Sequence, residues 1–292
     1  MFTSDQYQLL DFGDGRKLER FGAVVLDRPA PAAAGNARHE PSLWPAATGR
    51  YDRTAGDCGV WRWRGNLPEP WTILHDKTTL ELKPTEFGHL GLFPEQADQW
   101  DWIAEQVRRA PKPAKVLNLF AYTGAATFAA AGAGAEVTHV DSARNTVAWA
   151  RRNAQRSGLT AAPIRWIVED ASRFVRRELK RGNQYHAVVL DPPSYGRGPK
   201  GEVWKLEDQL PDLLRLCAEL TADDRRFMLL SCHSPGYDGR KLGELLLDVG
   251  ATGEIETMAM ATTTRSGRSL ASGCAARLRP ISLPARRVSW QS

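Results

Sequence analysis

The sequence predicts an α/β fold: a parallel sheet with helices on both faces, preceded by a small, mostly antiparallel β region. Three observations carry this. From Lys115 onward, short apolar runs alternate with longer amphipathic stretches, the rhythm of strand, crossover helix and strand. The first 110 residues differ, being rich in tryptophan and proline with brief β-like runs. A hydrophobic content of 42% over 292 residues supplies the core of one large α/β unit and a smaller companion.

In the first part, residues 18–26, 59–64, 71–74 and 79–83 read as strands, and the Ala/Pro/Gly-rich 29–45 reads as a loop. Its tryptophans are expected to pack in the core and not to serve as base-stacking platforms. Residues 95–109 predict a helix, with Ala97, Trp100, Ile103, Ala104 and Val107 near helical spacing, ended by Pro111-Lys112-Pro113. Strands follow at 116–120, 136–141, 164–168, 186–190 and 226–231. Helices are expected at 124–134, 143–157, 171–181, 203–220 and 240–249, and a final antiparallel pair at 254–260 and 273–278. The chain divides accordingly into a β-rich region (1–94), a helix with its linker (95–114) and the sheet unit (115–292). There is no internal repeat.

Composition removes several function classes. No run of about 18 apolar residues exists, so no membrane span is expected. The N-terminus lacks the basic-then-apolar pattern of a leader, so export is not expected. Cys58, Cys217, Cys232 and Cys274 are far apart with no C-x-x-C pair, which indicates neither a zinc site nor a disulfide framework. No metal is therefore expected, and reduced thiols fit the cytoplasm. The net charge of +5 and pI near 9.1 are a weak pointer to a polyanionic partner. The arginines between Arg144 and Arg181 read either as solvated helix faces or as phosphate contacts.

The chemistry-bearing residues stand at successive strand ends, where open α/β folds bind ligands. Asn118-Leu119-Phe120-Ala121-Tyr122-Thr123-Gly124 joins the first strand of the sheet unit to its helix. Gly124 lets backbone approach a ligand, and the helix N-terminus suits an anion such as an amino-acid carboxylate. Neither G-x-G-x-x-G nor a P-loop lysine is present. Asp141, 17 residues beyond Gly124 and followed by Ser142, can take the hydroxyls of a ribose or act as a helix N-cap. Asp170 after the third strand can accept from an adenine amino group or, again, cap a helix. Asp191-Pro192-Pro193-Ser194-Tyr195 puts a carboxylate, a carbonyl-rich turn and a ring at one strand end, suited to a flat nucleobase. The prolines can also serve only to stop the strand. Arg197 and Lys200 just beyond read as phosphate contacts or loop charges.

Taken together, these strand ends resemble a class I S-adenosylmethionine-dependent methyltransferase, with its Rossmann-like sheet, over roughly residues 85–280. Within that class the chain is similar to the bacterial large-subunit ribosomal RNA cytosine-5 methyltransferase family. The family's V-L-N-x-F-x-Y-T-G strand is matched by Val116 to Gly124, its D-P-P turn by Asp191 to Pro193, and its S-C-S-like strand end by Ser231-Cys232-His233-Ser234. Gly91-Leu92-Phe93-Pro94-Glu95-Gln96 loosely matches a segment that borders the cofactor there. The resemblance implies S-adenosyl-L-methionine as cofactor and ribosomal RNA as partner. It places Phe93, Gln96, Asn118, Phe120, Tyr122, Thr123, Gly124, Asp141, Ser142, Asp170 and Asp191 around the cofactor. Pro192, Tyr195 and Arg197 would meet the substrate, while Asp191 and Cys232 would be catalytic.

Cytosine C5 is a poor nucleophile, so this chemistry needs a thiolate to add at C6. Cys232 is accordingly expected to face the same crevice as Asp191. The other reading of Cys232 is a small buried apolar residue. His233 is not assigned as base, because strand neighbours point oppositely. Arg265 to Gly273 matches a family segment without a clear role. A clear counterpart of the family's separate RNA-binding PUA domain is not visible. Two further function classes stay open: a methyltransferase for a nucleobase nitrogen or small planar metabolite, and an RNA-binding module that holds the cofactor without catalysis.

Overall fold

The computed structural model describes residues 1–54, 58–110, 113–198, 201–250 and 253–280. The chain begins with β1 (Tyr7–Gly13), β2 (Arg16–Phe21), β3 (Val24–Pro29), β4 (Gly49–Arg53) and β5 (Gly59–Trp63), which form one five-stranded sheet in that order. Asp14 and Gly15, both with positive φ, make the Asp-Gly hairpin turn between β1 and β2. The apolar run expected as one strand at 18–26 folds back at Gly22, also at positive φ, and so becomes β2 and β3. The 29–45 segment carries two short 3-10 turns, at Pro31–Ala33 and Pro41–Ala46. The hairpin β6 (Thr72–His75) and β7 (Thr78–Glu81) follows, then α1 (Ala97–Arg109).

The sheet unit comprises β8 (Lys115–Leu119), α2 (Ala125–Gly132), β9 (Glu136–Asp141), α3 (Arg144–Arg156), β10 (Ile164–Val168), α4 (Ala171–Lys180) and β11 (Ala187–Leu190). A small hairpin, β12 (Tyr195–Arg197) with β13 (Val203–Lys205), precedes α5 (Leu206–Leu220), β14 (Phe227–Cys232), α6 (Gly239–Asp248), β15 (Glu254–Thr263) and β16 (Ser269–Arg279). The seven strands run β10-β9-β8-β11-β14-β16-β15, with β16 antiparallel to both neighbours. The chain leaves β8 toward β10 and returns to β11 on β8's other side. That switch point opens a crevice beyond the carboxyl ends of β8 and β11.

Each central strand is apolar on both faces, because helices cover both. Leu117, Leu119, Val188, Leu190, Met228 and Leu230 pack with Phe174 of α4 and Leu210, Leu213 and Leu214 of α5. Val116, Val189, Phe227 and Leu229 point the other way, onto Trp102, Ile103 and Val107 of α1. A third cluster unites the N-terminal region with the sheet unit: Phe21, Leu26, Trp71 and Leu80 share it with Trp100, Phe128 and Ala154. As expected, Trp44, Trp71, Trp100 and Trp102 are buried. No helix among the described residues is long and apolar enough to cross a membrane.

The N-terminal sheet holds a fully buried carboxylate, Glu19. Arg28 donates to it from Nε (2.9 Å) and Nη2 (2.5 Å), Tyr7 from its hydroxyl (3.0 Å), and Lys17 Nζ lies 3.0 Å away. Burial disfavours the charge, but Arg28 and Lys17 outweigh it and hold the pKa below the ordinary value. Glu19 therefore adds stability above its unfolded pKa, and this is lost as pH falls through the lower folded value. In Arg28→Met the carboxylate stays buried with one partner fewer, at a cost of about 3–5 kcal/mol near neutral pH. In urea titrations this gap should narrow on acidification, as the variant's Glu19 takes up a proton first; an equal gap at pH 7 and pH 4 would contradict the ion-pair account.

Candidate active site

The crevice is built on the loop between β8 and α2. Phe120 (φ 54°) and Tyr122 (φ 50°) both adopt the left-handed region, as does Gly124 (φ 99°). Two non-glycine residues there represent strain of roughly 1–3 kcal/mol each, which the surroundings must hold in place. Ala121 N–H donates to the Val140 carbonyl (3.0 Å) and Tyr122 N–H to Asp141 Oδ2 (2.9 Å). Thr123 Oγ1 donates to the Gly91 carbonyl (2.6 Å), while Asn153 Nδ2 donates to the Thr123 carbonyl (3.1 Å). The segment 91–96 is thereby bolted to the loop. Leu92, Phe93 and Gln96 line a cavity together with residues 120–126, Asp191 and Ser231. A second cavity lies on the far side of Phe120, against Asp141, Ser142, Asp170, Pro193, Arg197 and Trp204.

Asp141 is not the N-cap of α3; that position is Ala143, which has no side-chain capping bond. Its two oxygens brace the loops instead, accepting from Tyr122 N and Ala143 N (both 2.9 Å). Burial raises its pKa despite these two donors. Asp170 does cap α4, accepting from Arg173 N (2.9 Å), and its second oxygen has no partner among the described residues. Each of the two acids thus keeps acceptor capacity toward the second cavity. Ser142 Oγ donates to the Arg197 carbonyl (3.4 Å), which ties the β12–β13 hairpin over that cavity.

At the ends of β11 and β14 lies a connected polar cluster. Ser231 Oγ donates to Asp191 Oδ1 (2.7 Å), and Gln96 Nε2 donates to Ser231 Oγ (3.1 Å) and to His233 Nε2 (3.1 Å). His233 Nδ1 donates to the Ser272 carbonyl (2.5 Å). This pattern assigns the proton to Nδ1 and leaves the Nε2 lone pair facing Gln96 and Asp191 Oδ1, the latter 3.5 Å away. Glu95 lies 3.9 Å from Nδ1, and the Phe93 ring is 5.8 Å from the imidazole.

Alternation along β14 separates two residues that the sequence placed differently. Ser231 and His233 face the crevice; Cys232, 1% exposed, points the opposite way into the core against Leu242, Leu246 and Cys274. Burial pushes its thiol up from the ordinary value, although Ser234 N–H donates to the sulfur at 3.4 Å. The expectation that Cys232 shares the crevice with Asp191 is therefore corrected, because the pleat turns it toward α6. His233, left unassigned because it opposes Cys232, is in the crevice for that very reason.

Other residues fall as follows. Asn118 is buried beneath α2 and lines neither cavity; its amide donates to Thr127 Oγ1 (2.9 Å), which bonds His139 Nδ1 (2.9 Å). Burial holds His139 neutral, its pKa lowered to about 3. Pro192 is buried, and the Pro193 carbonyl accepts from Trp204 Nε1 (2.7 Å), so part of the turn's acceptor capacity goes to folding the hairpin. Tyr195 is 51% exposed and lines neither cavity. Lys200 and most of the linker at 111–113 lie outside the described residues. Among the described residues no group of His, Cys, Asp and Glu is arranged to hold a metal.

Comparison with known proteins places this crevice in context. A family model described as S-adenosylmethionine-dependent methyltransferase matches residues 14–236. Ribosomal RNA large subunit methyltransferase I of Aeromonas salmonicida is 26% identical over 170 residues, 58% of this chain and 42% of that protein. Ribosomal RNA large subunit methyltransferase K/L of Shewanella baltica is 31% identical over 139 residues, 44% of this chain and 19% of that protein. The matched part thus spans less than half the length of these curated relatives. The crystal structure of an S-adenosylmethionine-dependent methyltransferase from Agrobacterium tumefaciens superposes with a TM-score of 0.89 at 36% identity, covering 94% of this chain and 90% of that one.

The loop geometry makes its own prediction. A Cβ on Gly124 would sit 2.5 Å from the Phe128 ring, at a φ that other residues avoid. Gly124→Ala should cost about 1–3 kcal/mol in urea unfolding; an unchanged midpoint would contradict the tight turn.

Proposed function

The chain belongs to the S-adenosylmethionine-dependent methyltransferase family, and on that premise we propose that it methylates a nucleobase of ribosomal RNA, in the cytoplasm. The observation that carries the reading is the Asp191–Ser231–Gln96–His233 cluster at the carboxyl edge of β11 and β14. The names of the curated relatives supply the substrate class.

The residues present fit the cofactor. Unused acceptor capacity on Asp141 and Asp170 suits the ribose hydroxyls and the adenine amino group. The first turn of α2, whose N-cap Gly124 brings no side-chain cap, leaves N–H groups free for the donor's carboxylate. Phe120, between the two cavities, would border both ends of the donor, and Phe93, Tyr122 and Asp191 would line the end nearer the acceptor. When bound, S-adenosylmethionine supplies a methyl group already activated on a positive sulfur.

What remains for the protein is to position the acceptor and to take its proton. Asp191 accepts from an N–H of the base and orients the nitrogen. His233 Nε2, whose lone pair accepts from Gln96 until the base takes that place, receives the proton that nitrogen sheds as it is methylated. The Ser272 carbonyl holds the opposite N–H, while Asp191 and Glu95 offset the positive charge the ring then carries. Tyr195, exposed beside the turn, can stack on the unstacked base. Residues 1–94 are the part we assign to gripping RNA.

A second reading keeps cytosine C5 as the acceptor, with an adduct on Cys232. It is favoured by the Ser234 N–H bond to the sulfur, which supports a thiolate, and opposed by burial of that thiol in the core. Tritium transfer from labelled donor into ribosomal RNA separates the readings. Under nitrogen methylation, Cys232→Ala keeps its rate within about threefold, Asp191→Ala loses about 10²–10³ in kcat/KM and His233→Gln about 10². Loss of all turnover in Cys232→Ala alone would install the adduct. Donor binding without any transfer to RNA would leave only a non-catalytic module.

Donor affinity has its own pH signature. Asp141 accepts from hydroxyls fully only when ionised, and its pKa is raised. Calorimetric affinity should therefore weaken on acidification at a pH above the usual aspartate range of about 3.9. Asp141→Asn should bind roughly tenfold more weakly at pH 7 and lose this dependence; a variant with wild-type affinity would remove Asp141 from the donor site.

A further inference from the structure

A third cavity, of about 150 Å³, lies between the N-terminal sheet and the segment 87–95. It shares Leu92 and Phe93 with the cavity in front of Asp191, so the two are separated by a single layer of side chains. Phe93 also packs on His233.

The charges around this cavity are unbalanced. Lys17 and Arg28 both lean on the one buried Glu19, which leaves one positive charge in excess. Arg53 is exposed on the same wall, and no carboxylate among the described residues pairs with it. Glu95 is the opposing charge, on the side turned toward His233. His89 registers the resulting field. Although His89 exposes part of its surface, desolvation of its ring, with Arg28, Arg53 and Lys17, lowers its pKa to about 4, so it faces the cavity as a neutral hydrogen-bonding ring. Phe87, on the lining, exposes 46% of its surface, an apolar ring kept in water beside cations. A volume of this size holds a phosphate group and a few waters. Cations and a neutral imidazole around a pocket, with an exposed ring on its wall, are the elements of single-stranded nucleic-acid binding.

We propose that this cavity receives a backbone phosphate of the RNA substrate next to the target nucleotide, with Arg53 and Lys17 as its cationic contacts and an adjoining base laid on Phe87. The proposal rests on the ribosomal RNA reading above and gives it a second anchoring point, contributed by β2, β4 and the segment before α1. An exposed arginine facing a phosphate contributes mainly a salt-dependent increment of affinity, whereas a stacked ring contributes one that salt leaves alone.

The test is fluorescence anisotropy of a labelled single-stranded hexaribonucleotide across a salt series, with full-length protein. Arg53→Glu should weaken binding at least tenfold and reduce the salt slope by about one. Phe87→Ala should weaken it about fivefold or more with the slope unchanged. Arg109→Glu, at the end of α1 away from the crevice, should stay within twofold of wild type, and donor affinity should be unchanged throughout. Wild-type binding by Arg53→Glu, an equal loss in Arg109→Glu, or no binding of the hexanucleotide by the wild type would overturn the proposal. So would a site that takes inorganic phosphate but not RNA. Methyl transfer is read separately: binding through Arg53 and Phe87 without transfer to RNA would support the pocket while sinking the functional reading.

Discussion

The site depends on a short stretch of backbone held where it does not want to be. Phe120 and Tyr122 occupy the left-handed region without being glycines, and bonds to Val140, Asp141, Gly91 and Asn153 hold the loop there. The two cavities exist because this loop turns so sharply that one ring, Phe120, divides them. Asp141 does two jobs in consequence. It fixes the loop through Tyr122 N–H and presents its remaining lone pairs to the second cavity. Neither job is separable from the other, because the same carboxylate performs both.

The second constraint is the pleat of β14. A strand buried on both faces sends alternate side chains to different helices, so Ser231 and His233 share a side with Asp191 while Cys232 joins the core under α6. The chemistry available at this edge follows from that geometry more than from the motif that names it. A carboxylate, a hydroxyl and a histidine are hydrogen-bonded together on this side of the strand, while the thiol next to them in sequence is buried on the other.

Much of this was legible beforehand, and the exceptions have physical causes. The bounds of β9 and β10 follow from compact apolar runs, and Asp141, Asp170 and Asp191 stand where strand ends must put them. β1 is buried on both faces over most of its length, so it lacks the alternation by which strands are recognised in a sequence. The helix expected from 203 begins at Leu206, because Val203 to Lys205 pair with Tyr195 to Arg197 and Trp204 is spent on the Pro193 carbonyl. Asn118 sits in the motif that identifies the loop, yet a strand interior turns it under α2. For Cys232 and His233 the alternation rule was available and correct. What it leaves open is which of two opposed side chains faces the crevice, and the packing of α6 decides that.

Arg28 illustrates how tightly the N-terminal sheet and its surroundings are joined. Its guanidinium neutralises Glu19 in the interior, donates to the Gly88 carbonyl (3.0 Å) and borders the cationic cavity. Exchange of this one side chain therefore reaches strand pairing, the course of the following segment and the local potential all at once.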